Sequence, residues 1–407
     1  MAEFKKADGI VDWLDQRLAV KSFMKVMMTQ YWIPKKINFL WAMGVILLTM
    51  FAILFITGLL LVMYYKPDVA LAFDSVNKTI MQEVEYGWLW RHMHGVAASV
   101  VFLVMYIHMF TGIYYGSYKR GREMIWISGM LLFVLFSAEA FSGYMLPWGQ
   151  MSYWAAMVIT NLFGGIPFIG PELVEWIRGD YAVGDATLNR FFMLHVCLLP
   201  IVVIAVIAFH FYSLRFPHVN NEISEELDFD LEAEKYLAGQ KKESKVIAFW
   251  PDFLCKDIFY ICLFMIFYFY LVCFHYDFAM DPINFDPANA LKTPPHIYPE
   301  WYFLWSYEIL RGFSYEIGLA CFGIAQVIFF VLPFLDRSDV VAPAHKRGAF
   351  MAWFWVLLLD MIILTIYGKL PPVGINNNIA TIASVLFLLL LIVILPVITI
   401  MERKAKK

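Results

Sequence analysis

Residues 88–114 read WLWRHMHGVAASVVFLVMYIHMFTGIY. The run is apolar and longer than the roughly 20 residues that cross a hydrocarbon core, yet it holds His94 and His108. Ionisable side chains inside such a run are expensive and default to a functional reading. The two histidines are fourteen positions apart, a helical rotation of about 1400°, about 40° short of four full turns. They therefore share one face, about 21 Å apart along the axis. A second run, 189–214, carries His195 and His210, fifteen apart. Between and before them, run 38–63 has Gly44 and Gly58, and run 124–146 has Gly129 and Gly143, both pairs again fourteen apart.

Eight apolar runs of spanning length are present: 38–63, 88–114, 124–146, 189–214, 257–277, 317–334, 350–368 and 380–400. Composition agrees. Of 407 residues, 61% are hydrophobic and 16% charged, against about 45–50% and about 25% in soluble domains, so the chain belongs in a lipid bilayer. The fold class expected is all-α, with eight transmembrane helices and the first four bundled around the histidines. The expected division is an amphipathic segment 1–37, a four-helix domain 38–219, a charged connecting loop 220–256 and a C-terminal four-helix domain 257–407. The 147–187 connection, with Trp148, Trp154, Phe163 and Trp176 and few charges, is expected to form short interfacial helices. The N-terminus shows no short apolar core with a cleavage site, so no signal peptide is expected.

Most of the 31 Lys and Arg fall on the side that carries both termini; only Lys66, Lys78, Arg91, Arg178, Arg190, Lys292, Arg311 and Lys369 fall on the other. Positive residues are retained inside. Both termini of a multi-pass membrane protein are thus expected in the cytoplasm, or its organellar equivalent. In this topology the second and fourth runs are parallel. His94 lies level with His195 near the outer side, and His108 with His210 near the inner side. Two facing pairs of neutral imidazoles at two depths suit two non-covalent bis-histidine haems stacked across the membrane. A lone membrane histidine is more often a helix–helix hydrogen bonder or a proton relay; four paired in depth are not explained that way. The matched glycines suggest backbone drawn close to two flat macrocycles, beyond ordinary helix packing. Arg91, three residues before His94, is positioned to pair with a haem propionate. His92 points elsewhere and reads as structural. Cys197, Cys255, Cys262, Cys273 and Cys321 form no C-x-x-C pair, so no thiolate metal site or covalent haem is indicated.

Longer motifs carry a family likeness. They are Arg91-His92-Met93-His94, Tyr114-Tyr115-Gly116-Ser117-Tyr118 after His108, and Gly143-Tyr144-Met145-Leu146-Pro147-Trp148-Gly149-Gln150. Ile166-Pro167-Phe168-Ile169-Gly170, Thr187-Leu188-Asn189-Arg190-Phe191 and Thr293-Pro294-Pro295-His296-Ile297-Tyr298-Pro299-Glu300-Trp301-Tyr302 follow. In this order, between these runs, the sequence resembles cytochrome b of quinol-oxidising bc-type complexes nearly end to end. The resemblance implies a quinol:cytochrome c oxidoreductase subunit. Quinol would be oxidised at the outer side, with one electron passing to a Rieske iron–sulfur protein and on to a c-type cytochrome. The other would cross through two b haems to a quinone at the inner side, coupled to proton translocation. It implies a homodimeric complex in the lipid bilayer; no nucleic-acid partner is expected.

By position, His94 and His195 match the low-potential haem ligands, and His108 and His210 the high-potential pair. The outer quinol site is expected among Gly143 to Ala155 and Ile297 to Tyr302, with Tyr144, Pro299 and Tyr302 as walls and Glu300 as proton acceptor. A carboxylate in a poorly solvated aromatic pocket has a raised pKa; a surface capping or ion-pairing role is the alternative. Asp257 and Lys256 match inner-site positions, although a solvated helix start accounts for both as well.

Three departures from the family pattern stand out. The fifteen-residue His195–His210 gap, with Pro200 nearby, resembles the chloroplast type, and the extra residue must be absorbed by a bulge in the helix. Yet the chain runs on through eight spans, as an undivided bacterial form would. Arg215 stands where the mitochondrial type has an inner-site histidine, leaving His218 as a substitute; Thr111 replaces a propionate-contacting arginine, leaving Lys119 or Arg120. Ala42 falls where an extra haem's cysteine would be, so none is expected. Ala155 replaces a usual glycine, which predicts weak inhibition by strobilurins. Two other classes fit parts of the pattern: a haem-free proton-coupled transporter, and a diheme anchor of another quinone-linked dehydrogenase. Neither explains the Pro-Glu-Trp-Tyr loop.

Overall fold

The computed structural model describes residues 9–278 and 280–405; the first eight residues of the expected N-terminal segment lie outside these. Among the described residues, seven helices are long and apolar enough to cross a membrane. They are α1 (Phe39–Val62), α2 (Gly87–Tyr114), α3 (Glu123–Met145), α4 (Asp185–Leu214), α5 (Phe249–Phe274), α7 (Ala349–Lys369) and α8 (Ile375–Ala405). The sixth expected span is shorter. Its helix α6, Tyr315–Phe330, stops at Val331 and resumes as Leu332–Leu335. Pro333 lacks the N–H an unbroken ladder needs, and it sits at the start of the resumed turn, where that loss costs nothing.

Helix α1 packs on α2, α4 on α3, and α5 on α2; α7 packs against α8 and a short helix, Leu304–Arg311. The extra residue between His195 and His210 is absorbed where His195 itself lies. Residues Leu194–Leu198 form one π-helical turn, and an α-helix restarts at Leu199 with Pro200 in its first turn. A single wide turn is how a helix accommodates one inserted residue.

The 147–187 connection folds into helices Gln150–Phe163 and Gly170–Arg178. Buried Arg178 ties them together, donating to Thr160 Oγ1 at 2.9 Å and Asn161 Oδ1 at 2.8 Å. The charged 220–256 stretch is also structured. Asp228 caps helix Phe229–Leu237, accepting from the Leu231 N–H at 3.1 Å. Strand Val246–Ala248 pairs antiparallel with Trp32–Pro34, Ile33 opposite Ile247.

At the end carrying both termini, Asp336 is buried among donors. Tyr118 Oη lies at 2.6 Å, Lys119 Nζ at 2.7 Å and Arg347 Nη1 at 3.1 Å. Arg347 also donates to Glu402 at 2.8 Å, which fastens the last helix. Burial alone would raise the Asp336 carboxyl; Lys119 and Arg347 outweigh it and hold it below the usual range.

Candidate functional site

Each of the four glycines faces one of the four histidine rings. A Cβ built on Gly44 would sit 3.6 Å from His108 Cε1; on Gly58, 3.3 Å from His94 Cε1; on Gly129, 3.3 Å from His210 Cε1. On Gly143 it would overlap the His195 ring, 2.9 Å from both nitrogens. The shared spacing thus sets each glycine against a histidine ring.

The rings are also oriented. His94 Nδ1 lies 2.9 Å from Thr57 Oγ1, whose own hydrogen goes to the Ile53 carbonyl at 2.6 Å. The hydroxyl is left to accept, so Nδ1 carries the proton and Nε2 keeps a free lone pair. His210 repeats the arrangement: Nδ1 is 2.9 Å from Ser128 Oγ, which donates to the Ile125 carbonyl. His195 Nδ1 donates to the Glu139 carbonyl at 3.0 Å, with Ser142 Oγ at 3.4 Å and Glu139 Oε1 at 3.2 Å. All four of these side chains, Glu139 included, were missed from sequence, although for three a signal was present. Thr57, Ser128 and Ser142 each immediately precede one of the glycines.

The His94 and His195 ring centres are 6.2 Å apart at 83°. One metal ion between two imidazoles, with metal–nitrogen bonds of about 2 Å, needs ring centres about 6 Å apart. Among the described residues no three His, Cys, Asp or Glu side chains converge as a bare-ion site. A two-ligand centre with a macrocycle supplying the rest of the coordination fits this donor set.

This pair opens onto a cavity of about 250 Å³, whose walls include Gly58, Arg91, Glu139, Gly143, Tyr144, Asp281, Glu300 and Tyr302. Glu300 precedes a single 3-10 turn, Trp301–Phe303, which aims its side chain inwards. Burial pushes its carboxyl up to about 7, against the Tyr144 hydrogen bond that lowers it, with Asp281 raising and Lys369 lowering it further. Tyr302 is buried and stacks on Phe102, centres 4.0 Å apart at 3°, while its carbonyl accepts from Tyr106 Oη at 2.6 Å. Asp281, not singled out from sequence, lines the same space and accepts from Tyr298. Pro299 and Ala155 do not line the cavity; Ala155 is buried in helix Gln150–Phe163.

A second cavity, about 320 Å³, lies at the opposite end, between Ile37, Asn38, Trp41 and the start of α5 with Lys256 and Asp257. Arg215 and His218 are not in it. The Arg215 guanidinium lies 3.9 Å from the Tyr31 ring centre, and His218 stacks between Phe229 and Tyr31. His218 therefore does not take the place expected of an inner-site histidine. Lys119 and Arg120 also differ from expectation as propionate partners. Lys119 Nζ is consumed by Asp336 and the Ser338 and Val340 carbonyls, and Arg120 pairs with Glu226 at 2.6 Å. Thr111 turns back to the Ile107 carbonyl.

Two family descriptions match the chain: Cytochrome b/b6/petB over residues 28–217, and Cytochrome b(C-terminal)/b6/petD over residues 287–388. Cytochrome b of Rhodobacter capsulatus is 39% identical, covering 98% of this chain and 93% of that protein. Cytochrome b of Rickettsia bellii is 40% identical, covering 97% and 94%. A solved chain from "Hyperthermophilic respiratory Complex III" superposes with a TM-score of 0.88 at 36% identity, covering 97% of this chain and all of that one. On these matches along nearly its whole length, the chain belongs to the cytochrome b family, as the bc1-type cytochrome b of a complex III-like assembly.

Proposed function

We propose that the chain binds two b haems, through His94 with His195 and His108 with His210, and oxidises quinol in the cavity beside the first pair. The observation that carries this reading is four histidines each facing a glycine, three of them with an adjoining acceptor, set next to a cavity holding Glu300. Bound haems would supply one-electron transfer across the bilayer. The chain's own residues do the rest. Thr57, Ser128 and the Glu139 carbonyl hold the Nδ1–H of His94, His210 and His195, leaving Nε2 free for the iron. Arg91, on the wall of the first cavity, supplies a guanidinium for a propionate.

Quinol loses two electrons and two protons on oxidation. Glu300 takes one proton from a quinol hydroxyl, with Tyr144, already hydrogen-bonded to it, orienting the carboxylate, and the second proton leaves with the electron passed towards the Rieske protein. The aromatic walls, including Tyr144 and Tyr302, bound the space the quinol would occupy. One electron leaves towards a Rieske protein and a c-type cytochrome, the other through the histidine pairs to a quinone in the Lys256–Asp257 cavity. We place the Glu300 side outside and both termini in the cytoplasm, from the distribution of Lys and Arg. The diheme unit spans 38–219, with 220–256 linking it to the 257–407 unit, in a homodimeric complex of the bacterial inner membrane. Family membership sets aside the haem-free transporter.

The test is a pyridine haemochrome assay with a dithionite-reduced spectrum of the purified chain. Two protohaems per chain, low-spin and unmoved by carbon monoxide, are expected. No haem would overturn the reading, and a single haem would remove one histidine pair from it.

A further inference from the structure

We propose that the Glu139 side chain tunes the outer haem, acting on His195 as a carboxyl group set beside its Nδ1 that holds this haem's potential down. The inference rests on the reading of His94 and His195 as that haem's ligands. Glu139 lies on α3 one helical turn before Gly143, so it shares the face on which the glycine seats the His195 ring. Its Oε1 is 3.2 Å from His195 Nδ1, the nitrogen that already donates to the Glu139 carbonyl at 3.0 Å. Its Oε2 is buried with no hydrogen-bond partner. Among the described residues no Lys or Arg forms an ion pair with it. A carboxylate in the middle of the membrane bundle, aimed at a histidine and otherwise unpaired, is an expensive arrangement for packing alone.

The other ligands differ. His94 and His210 meet neutral hydroxyls, Thr57 and Ser128, each of which spends its own hydrogen on the backbone. The carboxylate is therefore specific to one ligand of one pair. A carboxylate 3.2 Å from Nδ1 favours positive charge on the imidazole and makes Nε2 a more basic ligand. A more basic ligand, with negative charge nearby in a poorly solvated site, favours ferric over ferrous iron and lowers the potential.

Optical redox titration of the purified complex tests this, following both haems in the native protein, Glu139→Gln and Glu139→Leu. Ser128→Ala, beside His210, assigns the other wave. The expected result is that the outer haem's wave moves to higher potential, further in Leu than in Gln, while the inner wave stays. The ferric outer haem should also show a shifted low-spin electron paramagnetic resonance signal, which a packing role alone would not give. If Glu139→Leu fails to assemble, the near-isosteric Gln variant decides. An unmoved outer wave, or equal movement of both waves, overturns the proposal. A native protein with fewer than two haem waves would instead overturn the diheme reading beneath it.

Discussion

Glu300→Gln keeps the size and hydrogen-bonding reach of the side chain and removes its capacity to take a proton. The carboxyl stands at about 7, chiefly through burial. It is therefore half ionised at pH 7, about a tenth ionised at pH 6 and almost fully ionised at pH 8. If it is the base in quinol oxidation, the native rate should fall about tenfold for each unit below pH 7. A positioned general base contributes about 10²-fold or more, so the variant should lose about that factor at pH 8. The loss should shrink on acidification, because the native enzyme forfeits its base there. The assay is initial-rate quinol:cytochrome c reduction by the assembled complex from pH 5.5 to 8.5, with haem content measured on the same samples. An acid limb in the variant as steep as the native one, with both haems present, would refute the assignment and transfer it to a neighbour such as Asp281.

Stability supplies a second readout with its own sign. The folded protein holds the proton on Glu300 more tightly than the unfolded chain, whose carboxyl titrates at its ordinary value of 4.5. Its stabilising contribution is complete below 4.5 and is lost as the pH rises through about 7. The difference of about 2.5 units corresponds to at most about 3 kcal/mol. Above pH 7 the glutamine variant should thus be no less stable than the native protein while being far less active. A variant destabilised at pH 8 would mean that the carboxylate is instead part of the packing.

Gly143→Ala should expel or weaken the haem held by His195, because the added methyl overlaps the ring; Gly44→Ala, with ordinary contact at 3.6 Å, should retain its haem, as haem-to-protein ratios will show. Thr57→Val removes the acceptor that fixes the His94 tautomer, and haem retention on dilution should fall by about 10–100-fold. Asp336→Asn leaves buried Lys119 without its counter-charge and Arg347 with Glu402 alone, and should cost about 3–5 kcal/mol in thermal or denaturant unfolding at neutral pH. Because the Asp336 carboxyl is held low, its contribution is present above the unfolded value of about 3.9 and disappears as pH falls through the folded one. The native protein should therefore lose stability on acidification that the variant has already lost.

The helices were legible because a membrane span has one dominant requirement, an apolar length, and α1 to α5 fall within a few residues of the runs that announce them, α5 starting somewhat early. The histidine spacing and the glycine spacing are both periodicities of one chain, so they too could be read. Contacts made across the fold could not. Lys119 looks like a free cation in the loop after α2, but residues 336–340, more than two hundred positions away, consume its donors. His218 looks like a replacement ligand and is instead an aromatic spacer between Tyr31 and Phe229. Asp281 gave no sequence signal because a lone acid in a surface connection reads as solvation. Only the fold turns that connection back over the His94–His195 cavity.

The position of that cavity also says why the chain must run on past its fourth helix. The four histidines proposed to hold the electron acceptors belong to α2 and α4, and each ring faces a glycine of α1 or α3. A proton acceptor has a different requirement: it must reach the same substrate and also exchange with water, so it cannot lie deep in the span. Glu300 meets this from the connection between α5 and α6, at the end of the bundle, while Tyr144 reaches it from the end of α3. Trp301, the next residue, donates to Ser99 on α2 at 2.6 Å, and Tyr106 of α2 donates to the Tyr302 carbonyl. Two hydrogen bonds from successive signature residues thus register the second half against the helix that bears His94 and His108. Separating the halves would remove the base and loosen that register together. Expressed alone, residues 38–219 should accordingly hold both haems yet fail to oxidise quinol, and adding residues 257–407 in trans should restore turnover; turnover by the first fragment alone would refute the shared site.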